Sequence, residues 1–179
     1  LKAPKKSLTC RFPAICPAAP GDWIYVGGHD TWLDLQAGAH GWTLVDSRAG
    51  FETLAEGTLL PDRVAGIAPV AGTLQCDRAG RPGYNDPEPP YTVPLIATVP
   101  SLATMTRGAL NVLGRDPDGF VCVIEAGDVD GAAHHRTLGR LIEELDDFDA
   151  AVAVAVDWIE THSSWDEALL VVTSDHETG

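Results

Sequence analysis

The chain has 179 residues, 45% hydrophobic and 21% charged, so it is long and apolar enough to fold around a real core. Its net charge of −14 and pI of about 4.5 exclude a nucleic-acid backbone as partner, because that needs clustered Lys and Arg. An anionic substrate stays allowed, since bound cations invert the local charge of a site. No apolar run is long enough for a membrane span, and no secretory leader is legible. The sequence opens on Leu1 and stops at Gly179, and it is expected to be part of a longer protein.

Residues 1–21 are rich in Pro, Lys and Ala and read as a loosely held segment. Cys10 and Cys16 are close enough for a bridge in an oxidising compartment. Cys76 falls in a loop, and Cys122 reads as a small buried hydrophobe. None of these spacings matches a zinc motif. Asp22 to Val26 reads as a buried strand stopped by Gly27-Gly28, and Thr31 to Ala39 as a short helix capped by Thr31 or Asp30. Thr43 to Val45 is a short strand. Ser47 to Gly57 is a helix with Ser47 as cap and Phe51, Leu54 and Ala55 inward. Val64 to Val70 is a further apolar strand. Alternating strands and helices predict an α/β fold with a mostly parallel sheet.

Residues 77–100 carry six prolines and two glycines and predict one long irregular loop. Ser101 then caps a helix through Val112, with Leu102, Met105, Ala109 and Val112 on its core face. Asp116 to Gly119 is a turn. Phe120 to Ile124 is a short apolar run that reads as a strand buried on both faces. From Arg136 to His162, Leu138, Leu141, Ile142, Leu145, Phe148, Val152, Val156 and Ile159 recur at spacings of three and four. They predict one long amphipathic helix, roughly 40 Å at 1.5 Å per residue. Glu143, Glu144, Asp146, Asp147 and Asp157 fall on its other faces, which read as solvated. Leu169 to Val172 is a second fully apolar strand.

Two strands therefore end in acidic and histidine residues. Glu125 follows the first, and Asp130 and His134 come next at i and i+4, on one face if the chain is entering a helix. Asp175 and His176 follow the second. One reading of the first cluster alone is a metal cradle; the other is an acidic loop with two surface histidines. A single helix joins the strands, so a right-handed crossover would set them parallel, with both ends at one sheet edge. Two carboxylates ~4 Å apart repel by ~4 kcal/mol at an effective dielectric near 20, so either cations fill that space or the groups stand apart. Two histidines beside them favour cations, and imidazole with carboxylate suits zinc.

Three stretches, in order, resemble the alkaline phosphatase family: Glu125 to His134, Asp147 to Val152, and Thr173 to Gly179, with a similar lead-in from Pro100 to Thr106. The likeness covers about residues 100–179 and is weaker before that. It implies an α/β/α sandwich with a mostly parallel sheet, a single domain over 1–179, incomplete at both ends. It also implies a metal-dependent phosphomonoester hydrolase with two zinc ions and one magnesium, acting through a phosphoserine. By the resemblance, Glu125 binds magnesium, Asp130 and His134 the first zinc, and Asp175 and His176 the second. Ala126, Asp128 and Gly131 depart from the family's usual residues, and Ser174 stands where it has Ala. By the resemblance, the family's nucleophilic serine lies ahead of everything in this sequence, so the chain by itself is expected to be inactive. His135 is taken as a bystander, while His29, His40 and His162 match no motif. The family is commonly exported and dimeric, so an extracellular or periplasmic location and a homodimer are expected, with a phosphate monoester as ligand. The other readings are a phosphodiesterase or sulfatase of the same superfamily, and a non-catalytic fragment binding metal or anions.

Overall fold

The computed structural model describes residues 26–70, 74–75, 78 and 88–178. The segment 1–21, nearly all of the Asp22–Val26 strand, the Cys10–Cys16 pairing and Cys76 lie outside those residues. Helix α1 spans His29–Gln36. It begins two residues earlier than the sequence suggests, and neither Thr31 nor Asp30 caps it. Gly28 is the N-cap with φ 107°, and the Thr31 hydroxyl sits inside the first turn, donating to the Gly27 carbonyl at 3.2 Å. A cap must accept from backbone N–H, so a donating hydroxyl cannot serve.

Strand β1 (Trp42–Val45), helix α2 (Arg48–Ala55) and strand β2 (Arg63–Gly66) form a parallel β-α-β unit, with Trp42 opposite Arg63 and Val45 opposite Gly66. Ser47 caps α2 as expected, accepting from Gly50 N. Phe51 and Leu54 point into the core, and Phe51 lies so close to β2 that a Cβ at Gly66 would come within 2.7 Å of its ring. β2 is shorter than the apolar run Val64–Val70. Its pairing closes with Ile67 N donating to the Val45 carbonyl at 2.8 Å, and Pro69, lacking an N–H, cannot extend the ladder.

Helix α3 (Leu102–Leu113) packs against α2 and against the long helix α5 (Leu138–His162). Ser101 caps α3 through Thr104 N, and its core face is the predicted one, with Leu102, Met105, Ala109 and Val112 buried. Gly108 admits α2, because a Cβ there would stand 2.9 Å from the Leu54 Cβ. Asn111 donates to the Leu54 and Ala55 carbonyls at 3.0 and 2.9 Å, tying α3 to the end of α2.

Three expectations are corrected. Phe120–Ile124 and Leu169–Val172 pair with no strand among the described residues, and neither is buried on both faces. In the first, exposure alternates with period two. Phe120 meets Trp158 edge to face and Ile124 joins the core, while Val121 is 76% exposed. In the second, Leu169 is 87% exposed. Each run was apolar enough for a central strand, but only one side of the first meets a described layer. The sheet seen among the described residues is therefore the parallel β1–β2 pair.

The third correction concerns α5. The long helix is one unbroken element as expected, starting at Leu138, two residues later than predicted, because Arg136 (φ 54°) is the C-cap of the preceding helix α4 (Gly127–His135); what differs is which face it buries. In the first half of α5 the faces are exchanged. Leu138, Ile142 and Leu145 are exposed, whereas Arg140, Glu143 and Glu144 are buried. The acidic run is therefore not a solvated face there. Glu143 pairs with buried Arg78 and lies 3.5 Å from Arg140, which in turn lies 3.6 Å from Glu88. Tyr91 donates its backbone N–H to Glu143 and its hydroxyl to Asp146. Gly139 lets the backbone of Glu88 to Pro90 lie directly on the helix, where any Cβ would collide. Cys122 is half-buried rather than buried, and burial raises its thiol pKa, which keeps it protonated.

Removing one member of a buried charge pair strands the other. Glu143→Ala is expected to destabilise the chain by about 3 kcal/mol or more, read from the urea midpoint, whereas Glu160→Ala on the exposed side should shift it little.

Candidate metal centre

Helix α4 builds the first half of the site. It starts at Gly127, with Ala126 as N-cap, so Asp130 falls in its first turn and His134 one turn later on the same face. Asp130 Oδ2 and His134 Nε2 stand 3.4 Å apart, both about half exposed. The second half sits on the non-helical stretch after Val172. Asp175 Oδ2 and His176 Nε2 stand 3.6 Å apart. Short local bonds hold this turn. Ser174 donates its hydroxyl to the His176 carbonyl, and His176 N donates to Asp175 Oδ1 at 3.0 Å. His176 Nδ1 meets the Glu177 carbonyl at 2.9 Å, which leaves Nε2 as the nitrogen facing Asp175. That bond, followed by the Asp175 charge, raises the pKa of His176, and the Asp130 charge adds to it.

The two halves meet. Thr178 Oγ1 donates to Asp130 Oδ1 at 2.8 Å, across 48 residues of sequence. Asp130, His134, Asp175 and His176 thus form two carboxylate–imidazole pairs tied by one hydrogen bond. Two ligands on a tetrahedral zinc, each ~2.0–2.1 Å from it, stand roughly 3.3–3.4 Å apart. The separations within the pairs fit that edge, and the donor chemistry suits zinc. Among the described residues no three donors stand in range of one ion.

Glu125 has other neighbours. It lines a small cleft with Asp128, Glu144 and Asp147, floored by Leu74 and Leu102. Burial, then the Asp128 charge, pushes Glu144 up to about 7. Asp147 is also raised by burial, although Leu102 N donates to it at 3.0 Å. Sequence reasoning missed Glu144 and Asp147, because their charge marked them as surface. It also passed over Thr178, although that residue lies inside one of the three motifs. His135, adjoining His134, turns back on its own helix, with Nδ1 2.7 Å from the Gly131 carbonyl. Stacking on Trp158 occupies His162, and His40 lies 3.8 Å from Asp34.

The profile of the Alkaline phosphatase family matches residues 80–179, more than half of the sequence. The chain belongs to the alkaline phosphatase family. Alkaline phosphatase 3 of Bacillus subtilis is 35% identical over 81 residues, covering 45% of this chain and 17% of that protein. Streptomycin-6-phosphate phosphatase of Streptomyces griseus is 30% identical over 209 aligned positions, covering 94% of this chain and 46% of that protein. A cold-active alkaline phosphatase from a psychrophilic Shewanella superposes with a TM-score of 0.51 at 20% identity, over 75% of this chain and 28% of that one. The fold is therefore the α/β fold of alkaline phosphatases, and the chain spans less than half the length of these relatives.

The cleft makes a pH prediction. The carboxyl of Glu144 binds its proton more tightly folded than unfolded, so its contribution to stability is complete below about pH 4.5 and is lost as pH rises through about 7. In metal-free buffer, Glu144→Gln should flatten the fall in stability between pH 5 and pH 7.5 by an amount of order 3 kcal/mol. Urea midpoints at the two pH values measure it.

Proposed function

We propose that this chain carries the metal-binding part of a phosphomonoester hydrolase of the alkaline phosphatase type. The observation that supports it most directly is the meeting of the two Asp–His pairs through Thr178. In this reading Asp130 with His134 holds one zinc ion, Asp175 with His176 holds the second, and Glu125 contributes to a magnesium site. Paired divalent cations, when bound, neutralise charge on the attacking and leaving oxygens of an in-line phosphoryl transfer. The protein's own contribution is to present the donors already oriented. α4 fixes Asp130 and His134 one turn apart, and the Glu177 carbonyl holds His176 in the tautomer whose Nε2 is free to ligate. The relative matched over most of the chain is named for a 6-phosphate of streptomycin, which favours phosphate esters over sulfate esters as substrates.

No residue of this chain is assigned as nucleophile. Ser174 is engaged with the His176 carbonyl and sits among ligands. The 179 residues alone should therefore bind zinc without turning over p-nitrophenyl phosphate.

Elemental mass spectrometry of the purified chain tests the reading. Zinc above background is expected, and Asp130→Ala and His176→Ala should each lower it. Equal zinc in parent and both variants would overturn the assignment, and steady p-nitrophenyl phosphate turnover by the chain alone would overturn the missing nucleophile.

A further inference from the structure

Asp130 is held at both oxygens. Its Oδ2 faces His134 Nε2 at 3.4 Å, and its Oδ1 accepts from the Thr178 hydroxyl at 2.8 Å. A half-exposed carboxylate in the first turn of a helix otherwise rotates freely about two torsions, and ordering it costs entropy. A fixed donor on one oxygen selects the rotamer that aims the other. Threonine suits that task, because its β-branched side chain is stiff about χ1. The hydroxyl also comes from the opposite half of the site, two residues after His176, so the bond sets one Asp–His pair against the other.

We propose that Thr178 is a positioning residue for the metal centre. Its hydroxyl binds Asp130 Oδ1, directs Oδ2 toward the cation shared with His134, and registers the Asp175–His176 turn against α4. This inference rests on the zinc assignment of the preceding section. Outer hydrogen bonds of this kind typically affect metal affinity by about 10–100-fold when removed. A residue that merely tied down the chain near Gly179 would instead affect melting and leave the coordination unchanged.

The test uses the full chain and zinc itself. Zinc affinity is measured by competition with a chromophoric chelator, and geometry by the visible bands of the cobalt-loaded protein. The variants are Thr178→Val, which keeps the shape and loses the hydroxyl, and Thr178→Ser, which keeps the hydroxyl. Asp130→Ala and His176→Ala serve as controls, and melting is followed throughout. Thr178→Val is expected to weaken zinc binding by about tenfold or more and to shift the cobalt bands, with Thr178→Ser restoring both. If Thr178→Val binds zinc like the parent while the controls lose it, the positioning role is wrong and the zinc assignment stands. If Thr178→Val weakens binding only in step with a lower melting temperature, unrescued by Thr178→Ser, the role is structural and the proposal falls. If both controls bind like the parent, the zinc assignment itself fails, and this role with it.

Discussion

A buried charge must find its opposite, and that constraint decides how the longest helix sits. Arg78 is almost wholly enclosed, and Glu143 is its partner. Once Glu143 turns inward, Arg140, one turn earlier, and Glu144, beside it, are drawn to the same face. The apolar residues Leu138, Ile142 and Leu145 then have to point outward. Isolated buried pairs give little net stability, because desolvation cancels much of the Coulomb gain. Their effect is selective: once the pair is buried, rotating α5 would strand both charges. The same face then receives the backbone of Glu88 to Pro90 over Gly139, where no side chain stands in the way.

The placement of α5 has consequences for the site. α5 follows α4 after two residues, left-handed Arg136 and then Thr137, so its orientation sets that of the helix carrying Asp130 and His134. The inward face of α5 also supplies Glu144 and Asp147 to the cleft that holds Glu125. Burial there, followed by the nearby Asp128 charge, raises the pKa of Glu144. The Asp–His pairs are treated differently. They stand in solvent, each carboxylate within reach of an imidazole. The structure thus separates a partly buried acidic cleft from an exposed set of candidate donors.

Family membership and the geometry support each other without being the same argument. The family profile covers residues 80–179, and that stretch includes α3, α4, α5 and both donor pairs. The β-α-β unit lies ahead of it, and the likeness to a solved alkaline phosphatase fold extends over three quarters of the chain. The apolar runs Phe120–Ile124 and Leu169–Val172 keep the composition of central strands even where no described neighbour pairs with them.

What the sequence determined by itself was local or periodic. Ser47 and Ser101 were legible as caps because a hydroxyl ahead of an apolar period has one common use. The core faces of α2 and α3 followed from spacing alone. Glu125, Asp130, His134, Asp175 and His176 were legible as candidates because their motifs are contiguous and the chemistry of each residue type is fixed. The tertiary structure decided everything that depends on a partner far away in the chain. Hydrophobic periodicity cannot show that Arg78 will capture Glu143, so the exchanged faces of α5 were hidden. Strand composition cannot show which layer covers a strand, so the exposure of Val121 and Leu169 was hidden too. The hydrogen bond from Thr178 to Asp130 spans 48 residues, and only folding could bring those two side chains to one point.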